Sequence, residues 1–320
     1  MKLNPWVILR RLPVLIFLVG LVLFFSLSSP RFFTPTNLTN ILVQNAHIII
    51  VTVGMALVML SGGIDLSVGS VAALCGALAA GFVSRNGFPL ELAFSLALLA
   101  GFGLGLINGS LVVFGKLPPF VATLAMLGVA RGLTLVYSNS QPISGLGDAF
   151  TFWGRGAFFD IPMPVIVWVA VVLVVTWMLT QTRFGLHIYA VGGNEDTARL
   201  AGVPVKRVKL LTYGFSGLLA ALAGILLTAR IYSAQPQAAS GLELEAITAA
   251  VLGGVSLFGG VGNIPSAVLG ALLVGILGNG MNLLRVPSYP QQMIEGAVLI
   301  AAVAFDMFTQ RAKGQKRGTL

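Results

Sequence analysis

The sequence predicts an all-α polytopic membrane protein with about ten transmembrane helices and with both termini in the cytoplasm. Of its 320 residues, 57% are apolar and only 9% are charged, whereas about a quarter of the residues in soluble domains carry a charge. Several apolar runs reach the roughly 20 residues that a helix needs to cross a bilayer. The alternating segments of about ten residues that mark a transmembrane β-barrel are absent. We therefore expect a single transmembrane domain over residues 1–320.

Ten apolar segments follow one another, and the basic residues between them predict their orientation. The segments lie near residues 13–27, 41–60, 66–84, 90–113, 120–136, 164–181, 209–231, 246–258, 265–284 and 291–308. With the N-terminus inside, 13 of the 19 Lys and Arg residues are cytoplasmic, 5 are outside, and Arg131 lies within the fifth segment. This is the usual bias of membrane proteins, and it accounts for the net charge of +9 without nucleic acid. Counts of nine or eleven stay open, because the eighth segment is short.

Two connections are long enough to hold structure of their own. Residues 137–163 form an outer loop, and residues 182–208 form a cytoplasmic loop with the densest charge in the chain. Within the latter, Asn194 is a natural N-cap, acidic residues follow it, and Gly202 and Pro204 are terminators. This pattern predicts a free-standing helix of about two turns. It is either an ordinary interfacial helix or a rigid peg that fits a groove on a partner.

A glycine-rich stretch at residues 61–70 separates the second and third segments. Ser67 or Ser70 could cap the next helix, and Asp65 is favourably placed near its N-terminus. The stretch is either a capped cytoplasmic turn or a discontinuous helix that lines a pathway. Residues 253–257 resemble residues 62–66 at an offset of 191 positions. Both stretches should face the same side, through an internal repeat or by chance.

Uncharged polar residues are scattered along the apolar helices. Carboxamides that face lipid are costly, so we expect these residues to face the interior and find partners. They are candidates for a solute pathway together with Asp65 and Ser67, although hydrogen bonding between helices is their commoner role. Arg131 is expected to snorkel or to pair with a buried acid. The uncharged candidates are Gln44, Asn45, Asn108, Asn279 and Asn282.

The residues that would support an enzyme are lacking. The sequence has no phosphate-binding loop, no His-Glu-x-x-His and no Cys-x-x-Cys, and no nucleophile elbow. One cysteine and two histidines make a metal site unfavourable. We therefore expect no catalytic residues, no metal and no cofactor on this chain. Any work against a gradient must draw on another chain or on a gradient across the membrane.

Seven motifs in order resemble a known family, the inner-membrane permeases of bacterial monosaccharide ATP-binding-cassette (ABC) importers, especially those of the ribose type. The resemblance covers residues 33–306. The motifs that show it are LSGGIDLSVGS (60–70), TRFG (182–185), YAVGGNE (189–195), SAQP (233–236), ELEAI (243–247), LGGVSL (252–257) and NGMNLL (279–284). Residues 148–160, 285–287 and 291–292 depart from the ribose-type pattern, so the particular sugar stays open.

The resemblance implies a transport subunit in the bacterial inner membrane with three kinds of protein partner. These are a second permease subunit (an identical copy or a related permease), a cassette ATPase that binds ATP and Mg²⁺, and a periplasmic sugar-binding protein. Residues 193–207 would couple to the ATPase. The implied coupling residues are Gly193, Asn194, Glu195, Ala198, Arg199 and Gly202. The alternative is a sugar carrier that acts alone on an ion or solute gradient.

Overall fold

The computed structural model describes residues 5–317, with side chains for residues 15–304 and 307. Within this range the chain forms 14 helices and one short β-hairpin, β1 (Ala157–Phe158) with β2 (Ile161–Pro162). The helices are α1 (Pro5–Ser28), α2 (Pro35–Gln44), α3 (Ala46–Leu60), α4 (Val68–Ser84), α5 (Leu90–Val113), α6 (Pro119–Ser138), α7 (Gly147–Arg155), α8 (Met163–Gln181), α9 (Arg183–Gly193), α10 (Glu195–Leu200), α11 (Val205–Ile231), α12 (Leu242–Leu252), α13 (Ile264–Leu283) and α14 (Ser288–Arg317).

Nine of the ten apolar segments coincide with a helix or with the bent pair α2–α3, whereas the eighth, 246–258, runs past the end of α12 at Leu252. Among the described residues, five helices are long and apolar enough to cross a membrane: α5, α6, α8, α11 and α13. The pair α2–α3, bent by 44°, makes a sixth if it counts as one span. The prediction of a polytopic all-α membrane protein is confirmed. The number of spans and the sides of the termini stay predictions, and the terminal basic residues lie outside the described side chains.

Helix α11 lies at the centre of the bundle and packs against α3, α4 and α5. Glycines spaced four apart on α5 bring its backbone onto α11: a Cβ on Gly105 would lie 2.1 Å from the Tyr213 carbonyl oxygen. In the same way a Cβ on Gly224 would lie 1.9 Å from the Ala72 carbonyl oxygen of α4. Small residues allow the helices to approach this closely. The resulting van der Waals packing stabilises the bundle in lipid, where no hydrophobic effect drives helices together.

The two similar glycine-rich stretches are matching helix ends. Helix α3 ends in a Schellman motif at Gly62 (φ +81°), with hydrogen bonds from Gly62 N to Met59 O and from Gly63 N to Val58 O. Helix α12 ends in the same way at Gly254, also with φ +81°. This shared ending explains the similarity without a repeat of the whole chain.

The connections between helices meet in two groups at opposite ends of α11. At the end that carries α10, called the α10 end, Gly260 N donates to Leu60 O at 3.0 Å and Tyr189 Oη donates to Gly262 O at 2.9 Å. At the other end, called the Arg230 end, Arg85 Nη1 donates to Tyr137 O and Arg155 Nε donates to Arg230 O. The two glycine-rich stretches therefore share one end, as predicted.

The two long connections contain helices that the sequence did not predict. Residues 182–193 were expected to be loop, but they form α9, which begins where Thr182 Oγ1 accepts a hydrogen bond from Gly185 N at 3.3 Å. Its apolar positions Phe184, Ile188 and Val191 follow helical spacing, and the last two are buried. The outer loop holds α7, whose Phe150 is fully buried against Phe94.

Valine at Gly105 should destabilise the protein far more than valine at Gly103 on the same helix. A side chain at Gly105 collides with the α11 backbone, whereas a Cβ on Gly103 has no other atom within 4 Å. Overpacking typically costs about 1–3 kcal/mol, and a collision with backbone belongs at the upper end. The midpoint of thermal unfolding in detergent measures the difference. Equal midpoints for Gly105→Val and Gly103→Val would contradict the packing of α5 on α11.

Candidate coupling and pathway sites

The short helix predicted after Asn194 exists and ends where expected. Asn194 Oδ1 accepts a hydrogen bond from Thr197 N at 2.8 Å, so Asn194 is the N-cap of α10. Gly202 has φ +82° and closes the helix in a third Schellman motif, in which Val203 N donates to Ala198 O. The local sequence alone therefore fixes both ends of α10.

Helix α10 does not stand free, which corrects the expectation from the sequence. Ala198 is only 5% exposed and belongs to the main apolar cluster of the bundle. Glu195 accepts hydrogen bonds from Arg199 Nη2 at 2.8 Å and from Lys209 Nζ. Because Lys209 belongs to α11, this ion pair fastens the start of α10 to the central helix.

The hydrogen bond from Lys209 is the largest influence on Glu195 and lowers the pKa of its carboxyl group below the ordinary value. Partial burial acts in the opposite direction and is outweighed, with further help from the charges of Lys209 and Arg199. The carboxylate is therefore ionised at neutral pH and available to both cations.

The coupling residues implied by the resemblance differ in their exposure. Gly193, Asn194, Arg199 and Gly202 are exposed, Glu195 is half-buried and Ala198 is buried. Ala198 therefore positions α10 from inside. Leu200 was not singled out in the sequence, yet it is 90% exposed at the tip of this helix. Its apolar side chain on the polar face of a short helix was the available signal.

Asp65 and Ser67 come together with Asn108 and with Ser216 of α11 in a buried cluster. Asp65 is 1% exposed. Its Oδ1 accepts from Ser67 N at 3.0 Å and from Ser67 Oγ at 2.6 Å, and its Oδ2 accepts from Ser216 Oγ at 2.8 Å. Asn108 Nδ2 donates to Ser67 Oγ at 2.8 Å, whereas Asn108 Oδ1 has no partner within the described part of the chain.

The chain before α4 turns back into the bundle, which favours the discontinuous helix over the surface turn. Ser61 Oγ lies 3.4 Å from Thr212 Oγ1, while Asp65 bonds to Ser216 one turn further along α11. The four residues from Thr212 to Ser216 correspond to about 6 Å along the axis of α11. The unwound backbone finds hydrogen-bond partners there, because Ile64 O accepts a hydrogen bond from Thr123 Oγ1 at 3.3 Å. Ser67 was expected as a possible cap of α4, but its hydroxyl bonds to Asp65 instead.

The other pathway candidates are separated from this cluster. Asn45 is buried in the bend between α2 and α3, where its Nδ2 donates to Ile41 O at 2.7 Å. Asn279 exchanges two hydrogen bonds of 3.0 Å with Asn37. Gln44 and Asn282 are exposed. The expectation that all five face the interior is therefore wrong for these two, which lie at helix ends.

Arg131 interacts electrostatically with Glu243, although no described acid lies within salt-bridge distance of it. Its Nη1 donates to Pro236 O at 2.7 Å and to Ala238 O at 3.0 Å. It therefore holds the segment between α11 and α12 against α6.

A bundle of apolar helices with unwound, hydrogen-bonded backbone inside it is typical of a membrane transport protein. The fold and the buried Asp65 cluster thus define a transport permease. The chain belongs to the family described as the permease component of the branched-chain amino acid transport system, whose model matches residues 37–303. It is a transport subunit of this ABC permease family.

Curated relatives cover almost the whole chain. The chain is 46% identical to the ribose import permease of Bacillus subtilis over 93% of each chain. It is 40% identical to a D-allose transport system permease of Escherichia coli, over 89% of this chain and 87% of the relative. Identity to an L-arabinose ABC transporter permease of Azospirillum brasilense is 35%, over 96% and 91%. No solved structure matches. The resemblance to ribose-type permeases is confirmed.

Neutralising Glu195 should loosen α10 in a way that depends on pH. Because the pKa of Glu195 is lowered in the folded state, its stabilising effect is full above the ordinary value of 4.5 and is lost as the pH falls through the lowered pKa. Glu195→Gln should lower the free energy of unfolding near pH 7 by less than about 1 kcal/mol, because the pair is partly exposed, and the midpoint of thermal unfolding in detergent measures this loss. The difference from wild type should shrink at acidic pH.

Asp196→Asn is the matched control, because the Asp196 side chain is 89% exposed and its one ion pair among the described residues, with Arg199 of the same helix, is long at 3.8 Å. It should have a smaller effect at pH 7. Equal effects of the two substitutions at every pH would contradict the anchoring of α10 through Glu195.

Proposed function

We propose that the chain is the transmembrane permease subunit of an ATP-driven importer of a monosaccharide, ribose or a related sugar. It forms the translocation pathway as a dimer, with an identical copy or a related permease. ATP and Mg²⁺ bind to a separate cassette ATPase, in keeping with the missing phosphate-binding loop. The names of the relatives, which include ribose, allose and arabinose permeases, support this proposal.

The observation that carries the proposal is the attachment of α10 to α11. A partner that pushes on α10 acts on α11 through Glu195 and Lys209. Helix α11 then acts on the unwound segment before α4 through Ser216 and Asp65. A displacement of α10 is thereby passed to the middle of the bundle. This is the type of contact that alternating access needs, since rigid elements with two arrangements carry the coupling.

The topology that we propose has ten spans in the bacterial inner membrane and both termini in the cytoplasm. The α10 end faces the cytoplasm and meets the ATPase through its exposed residues, among them Arg199, Leu200 and Gly202. The Arg230 end faces the periplasm and receives a sugar-binding protein. The bias of Lys and Arg residues toward the α10 side supports this orientation.

A sugar carrier that acts alone would need an ionisable group inside the membrane, and Asp65 is the candidate. Its carboxylate already accepts three hydrogen bonds from neighbouring groups. A carboxylate that is held in place by three hydrogen bonds suits a structural hinge better than the binding of a coupling ion. The importer therefore remains our proposal.

Gly202→Val and Glu195→Gln should uncouple sugar uptake from ATP hydrolysis. Valine is strained at φ +82° and should displace the end of α10, whereas glutamine removes the charge that holds Lys209. We expect uptake per ATP hydrolysed to fall at least roughly fivefold, the lower range of allosteric coupling. The measurement is paired uptake and phosphate release in liposomes that contain the whole transporter.

Gly128→Val serves as control, because a Cβ on Gly128 has no other atom within 4 Å. It should keep the wild-type ratio of uptake to hydrolysis. Wild-type ratios in both α10 variants, at equal insertion, would refute the coupling role.

A further inference from the structure

A cavity of about 420 Å³ opens at the Arg230 end of the bundle, between the start of α3, the end of α11 and the segment that leads into α12. Its volume falls within the roughly 300–1,000 Å³ of small-molecule sites. The pathway candidates from the sequence are not among its lining residues. The polar side of its lining consists of His47, Gln235, Gln237, Ser240 and Glu245.

The wall of the cavity is held in place by hydrogen bonds at several points. Arg131 binds the carbonyl oxygens of Pro236 and Ala238 from α6. Ala234 and Ile143 exchange backbone hydrogen bonds of 2.9 and 3.0 Å. The segment between α11 and α12 is therefore attached to two other parts of the chain. A wall of this kind keeps its polar groups in fixed positions before any ligand arrives.

Two of the polar side chains are free to bind a ligand. The side chains of Gln237 and Glu245 make no hydrogen bond with any described residue, although both line the cavity. A carboxamide offers two donors and an acceptor, and a carboxyl group offers acceptor oxygens whether or not it carries a proton. Leu227, Ile231 and Leu242 supply the apolar part of the lining.

This lining suits a neutral polyhydroxylated molecule. Its hydroxyl groups can donate to Glu245 and accept from Gln237, and its C–H faces can lie on the leucine and isoleucine side chains. Among the described residues that line the cavity there is no lysine or arginine. The described lining therefore offers no cation of its own to pair with a ligand's carboxylate, such as that of an amino acid, whereas a neutral sugar needs none.

We propose that this cavity is a binding station for a neutral monosaccharide on its way into the membrane, with Gln237 and Glu245 as its recognition groups. The inference rests on the proposed function for one point, that the sugar moves inward through the membrane. The binding chemistry itself depends only on the cavity. A few polar contacts, with no Phe, Tyr or Trp among the described lining residues, give weak binding, which lets a transported sugar leave again.

A single introduced thiol can test the cavity, since Cys75 is the one cysteine of the sequence and is fully buried. Gln237→Cys, purified in detergent, is treated with a charged methanethiosulfonate reagent in the presence of D-ribose, D-allose, L-arabinose or L-leucine. At least one sugar should slow the labelling at a concentration at which L-leucine does not. Asn86→Cys is the control, because Asn86 is an exposed carboxamide at the same end. Its labelling should not depend on sugar.

The same variants are then placed in liposomes with the cassette ATPase and the sugar-binding protein. Labelled Gln237→Cys should lose at least roughly tenfold in uptake while ATP hydrolysis continues, and labelled Asn86→Cys should keep both. Glu245→Gln provides a second variant that preserves shape. The loss of one hydrogen bond to the ligand predicts roughly fivefold slower uptake, with Glu91→Gln on the exposed surface of α5 as its control.

The outcomes separate the cavity from the proposed function. Protection by sugar together with blocked uptake supports the cavity as a station on the pathway. Labelling that is indifferent to sugar, with ATP-driven uptake intact in every labelled variant, overturns the cavity and leaves the importer standing. Protection by sugar without any dependence of uptake on ATP refutes the importer and keeps the sugar site.

Discussion

The close contact between the backbone of α11 and its neighbours is the constraint on which the rest of the structure depends. Gly105 of α5 lies against the backbone carbonyl group of Tyr213 in α11, and Gly224 of α11 lies against the backbone carbonyl group of Ala72 in α4. Such contacts leave no room for α4 or α5 to slide along α11, so α11 is a rigid central helix. Each functional feature contacts this helix: Lys209 binds α10, Ser216 binds Asp65, and Ile231 lines the cavity.

The unwound backbone around α11 follows from the same constraint. In an apolar medium irregular backbone survives only where protein groups satisfy it. Ile64 O accepts hydrogen bonds from Thr123 and Tyr213, and Asp65 accepts from both serines. The polar residues of the bundle therefore serve two purposes. They stabilise the breaks in the helices, and in the mechanism that we propose these breaks are where the bundle changes shape.

At α10 the local signals in the sequence were reliable, but the cap at Thr182 was overlooked and Ser67 was wrongly expected to cap α4. Features that depend on distant residues could not be predicted. The ends of α10 were predictable because Asn194 and Gly202 act through their own backbone neighbours. The anchoring of α10 was not, since Lys209 enters only when α11 folds beside it. The pathway candidates were chosen by residue type, and two of them lie exposed at helix ends. The cavity was missed because Gln237 and Glu245 acquire their role only when the segment before α12 turns toward His47.

The central claim is that movement of a separate ATPase reaches the bundle through α10. Its most direct test is transport by purified components in liposomes, with radioactive sugar inside as the measured quantity. The account predicts uptake only when the permease, the cassette ATPase, the sugar-binding protein and ATP are all present. Uptake by the permease alone, driven by a proton or sodium gradient and abolished by Asp65→Asn, would contradict it.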